Sequence, residues 1–155
     1  MRHLKAPSLS FLCDMELAVE EAHILGKTPV GNRRIIRVTG GKLRGKKLNA
    51  DVIPEGDDWI TVREDGTIIQ DVRILLKTED DVLLLMTYRG IRTGSKEVLK
   101  RLDEGEEVDP KEYYFRTAPI FETADPKYDW LNRRIFVSNG IRLSNGVNYS
   151  IYTVE

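Results

Sequence analysis

The sequence offers few of the residues from which common catalytic centres are built. In 155 residues there is one cysteine, Cys13, and there are two histidines, His3 and His23. A lone cysteine excludes an internal disulfide framework and fits a reducing compartment. Two histidines without ligand spacing give no basis for a zinc site or for a Ser-His or Cys-His nucleophile. An excess of one charge is also missing. Lys and Arg number 24 against 25 Asp and Glu, for a net charge of -1, so the basic surplus of a nucleic-acid binder is absent. No apolar run approaches the roughly 18 residues of a membrane span, and MRHLKAPSLSFL holds none long enough for a signal peptide. These absences predict a cytoplasmic chain without nucleic-acid or membrane partners and without a metal. The length suits one domain over residues 1–155.

What is present is strand signal. Leu9, Phe11, Cys13, Met15, Leu17 and Val19 share one parity, which predicts a half-buried strand with Cys13 as a core thiol. Gly26 to Asn32 reads as a loop, Arg33 to Thr39 as a strand, and Gly40-Gly41 as its turn. Gly40 and Gly45-Lys46 have the spacing of a phosphate-binding loop, but Lys47 stands where a hydroxyl is needed and no helix follows. A glycine-cornered hairpin explains these residues better. Pro54 to Asp58 reads as a turn cluster before a short strand, Trp59 to Arg63. Asp65-Gly66 predicts a hairpin leading into the strand Thr67–Lys77. Val82–Arg92 is apolar on both parities, as in a strand covered on both faces.

Gly94 to Leu102 is the one helix, ended by Gly105. Two strands, Tyr113–Thr117 and Pro119–Thr123, are separated by their proline. Arg134–Ser138 and Val147–Val154 complete a set of about eight to ten strands, whose tight turns imply an antiparallel barrel or sandwich.

Several strands carry charge between large apolar residues. Ile69, Asp71, Arg73 and Leu75 share a face, and positions two apart lie roughly 6.6 Å from each other. Arg73 can therefore reach Asp71 or an anion between them. Tyr114 with Arg116, Ile120 with Glu122, Trp59 with Arg63, and Arg89 with Leu85 repeat the pattern. Arg34, Tyr128, Trp130 and Asn132 join them as candidate ligand contacts. Such groups suit a polar pocket for an anion, although structural ion pairs or an interface would use the same residues.

The chain resembles an uncharacterised β-barrel family, DUF3237, also called UPF0311. The likeness is carried by Gly31-x-Arg33-Arg34, Gly40-Gly41, Gly56-x-Asp58-Trp59, Asp71-x-Arg73 and Arg89-Gly90-Ile91-Arg92. It continues through Tyr114-Phe115-Arg116, Phe121-Glu122-Thr123 and Tyr128-x-Trp130-Leu131-Asn132. The resemblance implies a single-domain antiparallel β-barrel forming a homodimer. With the strands and helix read above, the expected fold is all-β, a single antiparallel barrel lipocalin-like in general shape with one short helix. It supplies no catalytic residue.

The expected function is binding of a small anionic or carbonyl-bearing metabolite, without a cofactor. The alternatives are a cofactor-independent isomerase, cyclase or lyase, or a structural homodimer without ligand. For catalysis, Glu122 is the candidate acid–base group, Arg116 the oxyanion donor and Asp71 the orienting carboxylate.

Overall fold

A computed structural model describes residues 2–155. Nine strands form one antiparallel sheet: β1 Leu9–Val19, β2 His23–Thr28, β3 Gly31–Arg44, β4 Ala50–Val62, β5 Ile68–Thr78, β6 Leu83–Gly94, β7 Tyr113–Glu122, β8 Phe136–Leu143 and β9 Gly146–Val154. Their order is β1-β9-β8-β7-β6-β5-β4-β3-β2, and β1 also pairs with β3. That pairing closes β1 and β3–β9 into a barrel, which removes the exposed edges of an open sheet. β2 extends the wall along the other half of β3, pairing His23 with Ile35 and Thr28 with Gly31. No helix among the described residues is long and apolar enough to cross a membrane.

The one α-helix among the described residues, α1 (Lys96–Asp103), starts where the Ser95 side chain accepts from the Val98 N–H, and it buries Val98, Leu99 and Leu102. This is ordinary N-capping ahead of a narrow apolar stripe. A short 3-10 turn, Asp129–Arg133, follows β7.

Several boundaries differ from the sequence reading, mostly because irregular strands resemble turns. Gly26–Asn32 is not one loop: β2 runs to Thr28, and Gly26 (φ 83°) accommodates a register shift against β3. β3 continues through Gly40-Gly41, where Gly41 has φ 145° and lies against the Glu16 carbonyl. The hairpin comes later, at residues 45–49, and leaves Lys46 and Lys47 exposed. Pro54–Asp58 is an irregular part of β4, with a register shift against β5 between Ile53 and Asp57. β6 has one buried face only, since Leu83 is exposed and Leu85 half-buried. β7 passes unbroken through Pro119, and its pairing with β8 involves only Arg116 and Thr117. A proline is tolerated where one side of a strand lacks a partner. Asn139-Gly140, a pair that favours turns, lies inside β8.

β1 departs from strict alternation in a useful way. A shift between Phe11 and Cys13 leaves Phe11 exposed while Leu12 and Cys13 are both buried, as expected of a β-bulge. Burial pushes the Cys13 thiol from 9.0 up to about 12. Because thiolate is the reactive form, the native protein should resist iodoacetamide at pH 8 about 10³-fold better than a free cysteine. Mass spectrometry should detect alkylation only on unfolding, and rapid native labelling would contradict this placement.

The interior changes character along the barrel. At one end Leu43, Ile74, Leu76, Leu84, Met86, Phe136 and Ile151 are fully buried and fill it with hydrocarbon. Towards the other end the same inward faces carry Asp58 on β4, Gln70 on β5, Tyr88 and Arg92 on β6, and Tyr149 on β9, all buried.

Candidate functional site

These polar residues line a cavity of about 470 Å³, within the roughly 300–1,000 Å³ common for small-molecule sites. Arg34, Phe115 and Arg142 line it as well, while Leu102 and Asp103 of α1 stand beside it. Arg34 reaches Asp103 at 3.5 Å, tying β3 to the helix.

A continuous hydrogen-bond chain crosses the cavity. The Asp71 backbone N–H donates to Asp58 Oδ1 at 3.2 Å, and Gln70 Nε2 donates to Asp58 Oδ2 at 3.2 Å. Gln70 Nε2 also donates to the Tyr149 hydroxyl at 3.2 Å, which accepts a further bond from the Tyr88 hydroxyl at 3.3 Å. Tyr149 thus accepts twice and, among the described residues, donates to no protein group. Its ring meets Tyr88 and Phe115 edge-on, each at 5.5 Å between centroids.

Electrostatics set the site apart from the rest of the barrel. Burial raises the Asp58 carboxyl from 3.8 to about 6, against the lowering effects of the Asp71 N–H, Gln70 and Arg92. Burial also lowers Arg92, and the neighbouring Arg142 lowers it further. Arg142 is lowered chiefly by burial. Both tyrosines are raised by burial and stay neutral. Among the described residues, no carboxylate lies within ion-pair distance of Arg92 or Arg142. Arg92 Nε and Gln70 Oε1 are buried without a hydrogen-bond partner. Buried donors, charged ones above all, are normally satisfied.

Gly90 makes room for this chain. It stands opposite Gln70 in the β5–β6 register, and a methyl there would collide with Gln70 Oε1 and come within 2.9 Å of Thr117 Cγ2. Gly90→Ala should swing the Gln70 carboxamide away and deprive Asp58 of a donor. We expect a loss of about 1–3 kcal/mol, read by denaturant unfolding, with Asp58 titrating above its wild-type value. An unchanged Asp58 titration would mean that Gln70 does not hold it.

Of the residues singled out from sequence, Arg34 alone lines this cavity. Asp71 and Arg89 face outward and pair across β5–β6 at 3.6 Å. Trp59, Asp71 and Arg73 share a shallow outer groove. Arg116 stacks on the exposed Tyr114 ring at 5.1 Å and donates to the Phe115 carbonyl. Glu122 is exposed on the outer face of β7, and Arg63 is exposed just beyond β4. Tyr128 is buried and donates to Asp80 at 2.8 Å, and Trp130 packs on the core. Asn132 brackets Thr123, accepting from its N–H and donating to its carbonyl.

The lumenal set Asp58, Gln70, Tyr88, Arg92, Arg142 and Tyr149 was missed. The available signal was Gln70, a lone polar residue on the face Ile68, Val72, Ile74, Leu76, since a polar side chain in an apolar row marks a buried role. Among the described residues, no three His, Cys, Asp or Glu side chains gather as a metal site would require.

A family profile described as "Protein of unknown function (DUF3237)" matches residues 7–154. A UPF0311 protein of Clostridium acetobutylicum is 33% identical over 154 residues, covering 99% of this chain and 98% of its own. The crystal structure of a conserved protein of unknown function from Rhodopseudomonas palustris superposes with a TM-score of 0.93 at 31% identity, covering 99% of this chain and 100% of that one. More distantly, a Penicillium herquei protein named hydroalkoxylation enzyme phnH is 26% identical over 126 residues, 81% of this chain and 69% of its own.

Proposed function

The chain belongs to the DUF3237 family, and from that premise and its lumen we propose that it binds a small organic anion or carbonyl compound inside the barrel. The observation that carries this reading is the pair Arg92 and Arg142, which line the cavity without a carboxylate in direct contact among the described residues, Asp58 and Asp103 acting on Arg92 only from beyond ion-pair distance. A desolvated guanidinium with no directly paired counter-charge and an unpartnered Nε, as at Arg92, is costly in the empty protein. A planar carboxylate would offset that cost through forked hydrogen bonds. Tyr88, Phe115 and Tyr149 supply ring walls, which suits a ligand with an aromatic or conjugated portion.

The test is native mass spectrometry of the purified protein, followed by thermal shift against aromatic and aliphatic carboxylates and uncharged ketones. A retained small molecule, or stabilisation by aromatic carboxylates that the Arg92→Met variant loses, is the expected result. Absence of both across the panel would overturn the reading.

A second reading is cofactor-independent catalysis, favoured by the buried Asp58 carboxyl and by the name of the Penicillium herquei relative. Hydroalkoxylation adds an alcohol O–H across a carbon–carbon double bond and requires a proton moved from oxygen to carbon without redox change. In this chain Asp58 is better placed than the exposed Glu122 for such work, because low polarity tunes a carboxyl towards neutral pH. We also retain a homodimer in the reducing cytoplasm as part of this reading. Exposed Ile91, Tyr114 and Ile120 on adjoining outer faces of β6 and β7 would suit a contact, and light scattering reads the assembly state.

A further inference from the structure

We propose that the lumen is a carbon-acid site, in which Asp58 takes the proton from the carbon beside the ketone of an aryl 2-oxo acid whose carboxylate is held by Arg92 and Arg142. This rests on the lumen being an anion site, and it adds a substrate class and a reaction.

Three features of the chain supply the parts. Asp58 accepts only two protein hydrogen bonds, so two of its roughly four lone-pair sites remain available in the cavity it lines. Tyr149 accepts from Gln70 and Tyr88 while its own proton has no protein acceptor, which leaves a neutral donor for an oxyanion. Arg92, with its unpartnered Nε, lines the same cavity as Arg142, whose Nη1 is held by the Leu143 and Gly146 carbonyls and whose remaining N–H groups are left for a carboxylate, while the Phe115 and Tyr149 rings pack beside them. A carboxylate base with a neutral tyrosine donor in an apolar site is a workable arrangement for enolisation.

The step balances without a co-reactant. The C–H electron pair becomes the C=C bond of the enolate as the ketone π pair moves to oxygen. The proton goes to an Asp58 oxygen, and the developing oxyanion takes the Tyr149 hydrogen bond. Return of a proton from Asp58 to carbon regenerates the ketone, carrying a solvent-derived hydrogen when Asp58 has exchanged in the interval. Protonation on oxygen yields the enol. Nothing is oxidised or reduced.

The groups that face Asp58 also govern its readiness. From β5 these are Gln70 and the Asp71 N–H, with the Asp71 carboxylate opposing ionisation. Arg92 comes from β6, and the neutral Tyr88 and Tyr149 complete the surroundings. Their balance with burial puts Asp58 at about 6, high enough to accept a proton effectively and still be ionised at pH 7.

The experiment uses phenylpyruvate and the full chain in deuterium oxide. Proton NMR follows loss of the methylene signal, and saturation transfer reports binding. Wild type should accelerate exchange about 10²-fold over the protein-free rate, with a rate that rises to a plateau through an apparent pKa near 6. Asp58→Asn should still bind and should fall to the protein-free rate, and Tyr149→Phe should bind and lose most of the acceleration. Phenylacetate, which lacks the ketone, should compete. Binding by wild type without exchange overturns the carbon-acid proposal and leaves the anion site standing. Exchange that is unchanged in Asp58→Asn, or flat with pH in wild type should that variant fail to fold, removes Asp58 from the step. No binding of either carboxylate overturns the carbon-acid proposal, and the anion reading falls with it only when native mass spectrometry and the wider panel are also negative.

Discussion

Asp58→Asn is expected to make the ligand-free protein more stable, not less, at pH 8. Asp58 has a folded-state value of about 6 against an ordinary 3.8. Folding therefore binds protons between these values, and stability falls as pH rises from about 4 to about 6. At 1.36 kcal/mol per unit, the penalty above pH 6 is about 3 kcal/mol. Asparagine removes the charge and keeps one acceptor, at a cost of about 1 kcal/mol for imperfect hydrogen bonding. The net gain at pH 8 is then about 2 kcal/mol, or roughly 4–8 °C for a domain of this size. Denaturant unfolding of both proteins from pH 4 to 8 checks this. The difference between them should grow in favour of the variant from pH 4 to 6 and then level. Asp80, held well below the usual range by Lys127, Thr78 and Tyr128, gives both proteins the same opposite trend at lower pH and cancels from the comparison. A variant less stable at pH 8 would show that Arg92 already compensates the Asp58 charge and that the carboxylate is structural.

A stabilising loss of charge would say that the residue is kept for something other than folding. That is the pattern of a functional site held at the expense of stability, and it is also the kind of residue that sequence patterning handles worst. The barrel itself was legible because its strands alternate and its turns use Asp65-Gly66 and Asn145-Gly146, so strand content and antiparallel pairing follow from local chemistry. The phase of the site was not. Charged residues framed by large apolar ones drew attention to Asp71, Arg73 and Arg89, which lie one position off the inward face, where Asp71 pairs with Arg89 rather than with Arg73. Side chains alternate with a period of two, so a one-residue error in phase exchanges lumen for surface.

Two local features hid the correct phase. Pro54-Glu55-Gly56 made the first half of β4 look like a turn and detached Asp58 from any strand, whereas the register shift between Ile53 and Asp57 keeps the strand running and aims Asp58 inward. Arg92 sits at the open end of β6, on the parity of Leu84, Met86 and Tyr88, where an arginine reads as the end of an apolar strand rather than as part of its interior. Guanidinium and carboxylate groups do meet in the open half of the barrel, but they are Arg34, Arg92, Arg142 and Asp58, and of the site residues proposed from sequence only Arg34 is among them. The other half is filled with aliphatic and aromatic carbon.

Arg92→Met separates ligand binding from architecture. Arg92 is 9% exposed, its Nε has no partner, and it lies over the Phe115 ring at 5.9 Å. Methionine fills much of the same volume and keeps an apolar contact with the ring, while removing a desolvated charge that no carboxylate contacts directly. In the ligand-free state at about pH 5, where Asp58 is protonated, the variant should therefore be as stable as wild type or more so, since replacing buried charge by apolar side chains is often neutral or favourable by about 1–4 kcal/mol. Binding should respond in the opposite sense. Loss of a charge-assisted, forked contact removes about 1.5–3 kcal/mol, or roughly 10–10²-fold in affinity for phenylacetate by isothermal titration. The same substitution takes away a cation that lowers Asp58, so the pH break of stability should move above about 6 at the same time. If Arg92 is instead structural, Arg92→Met will unfold at lower denaturant and leave phenylacetate affinity unchanged. The two outcomes differ in the sign of the stability change as well as in binding.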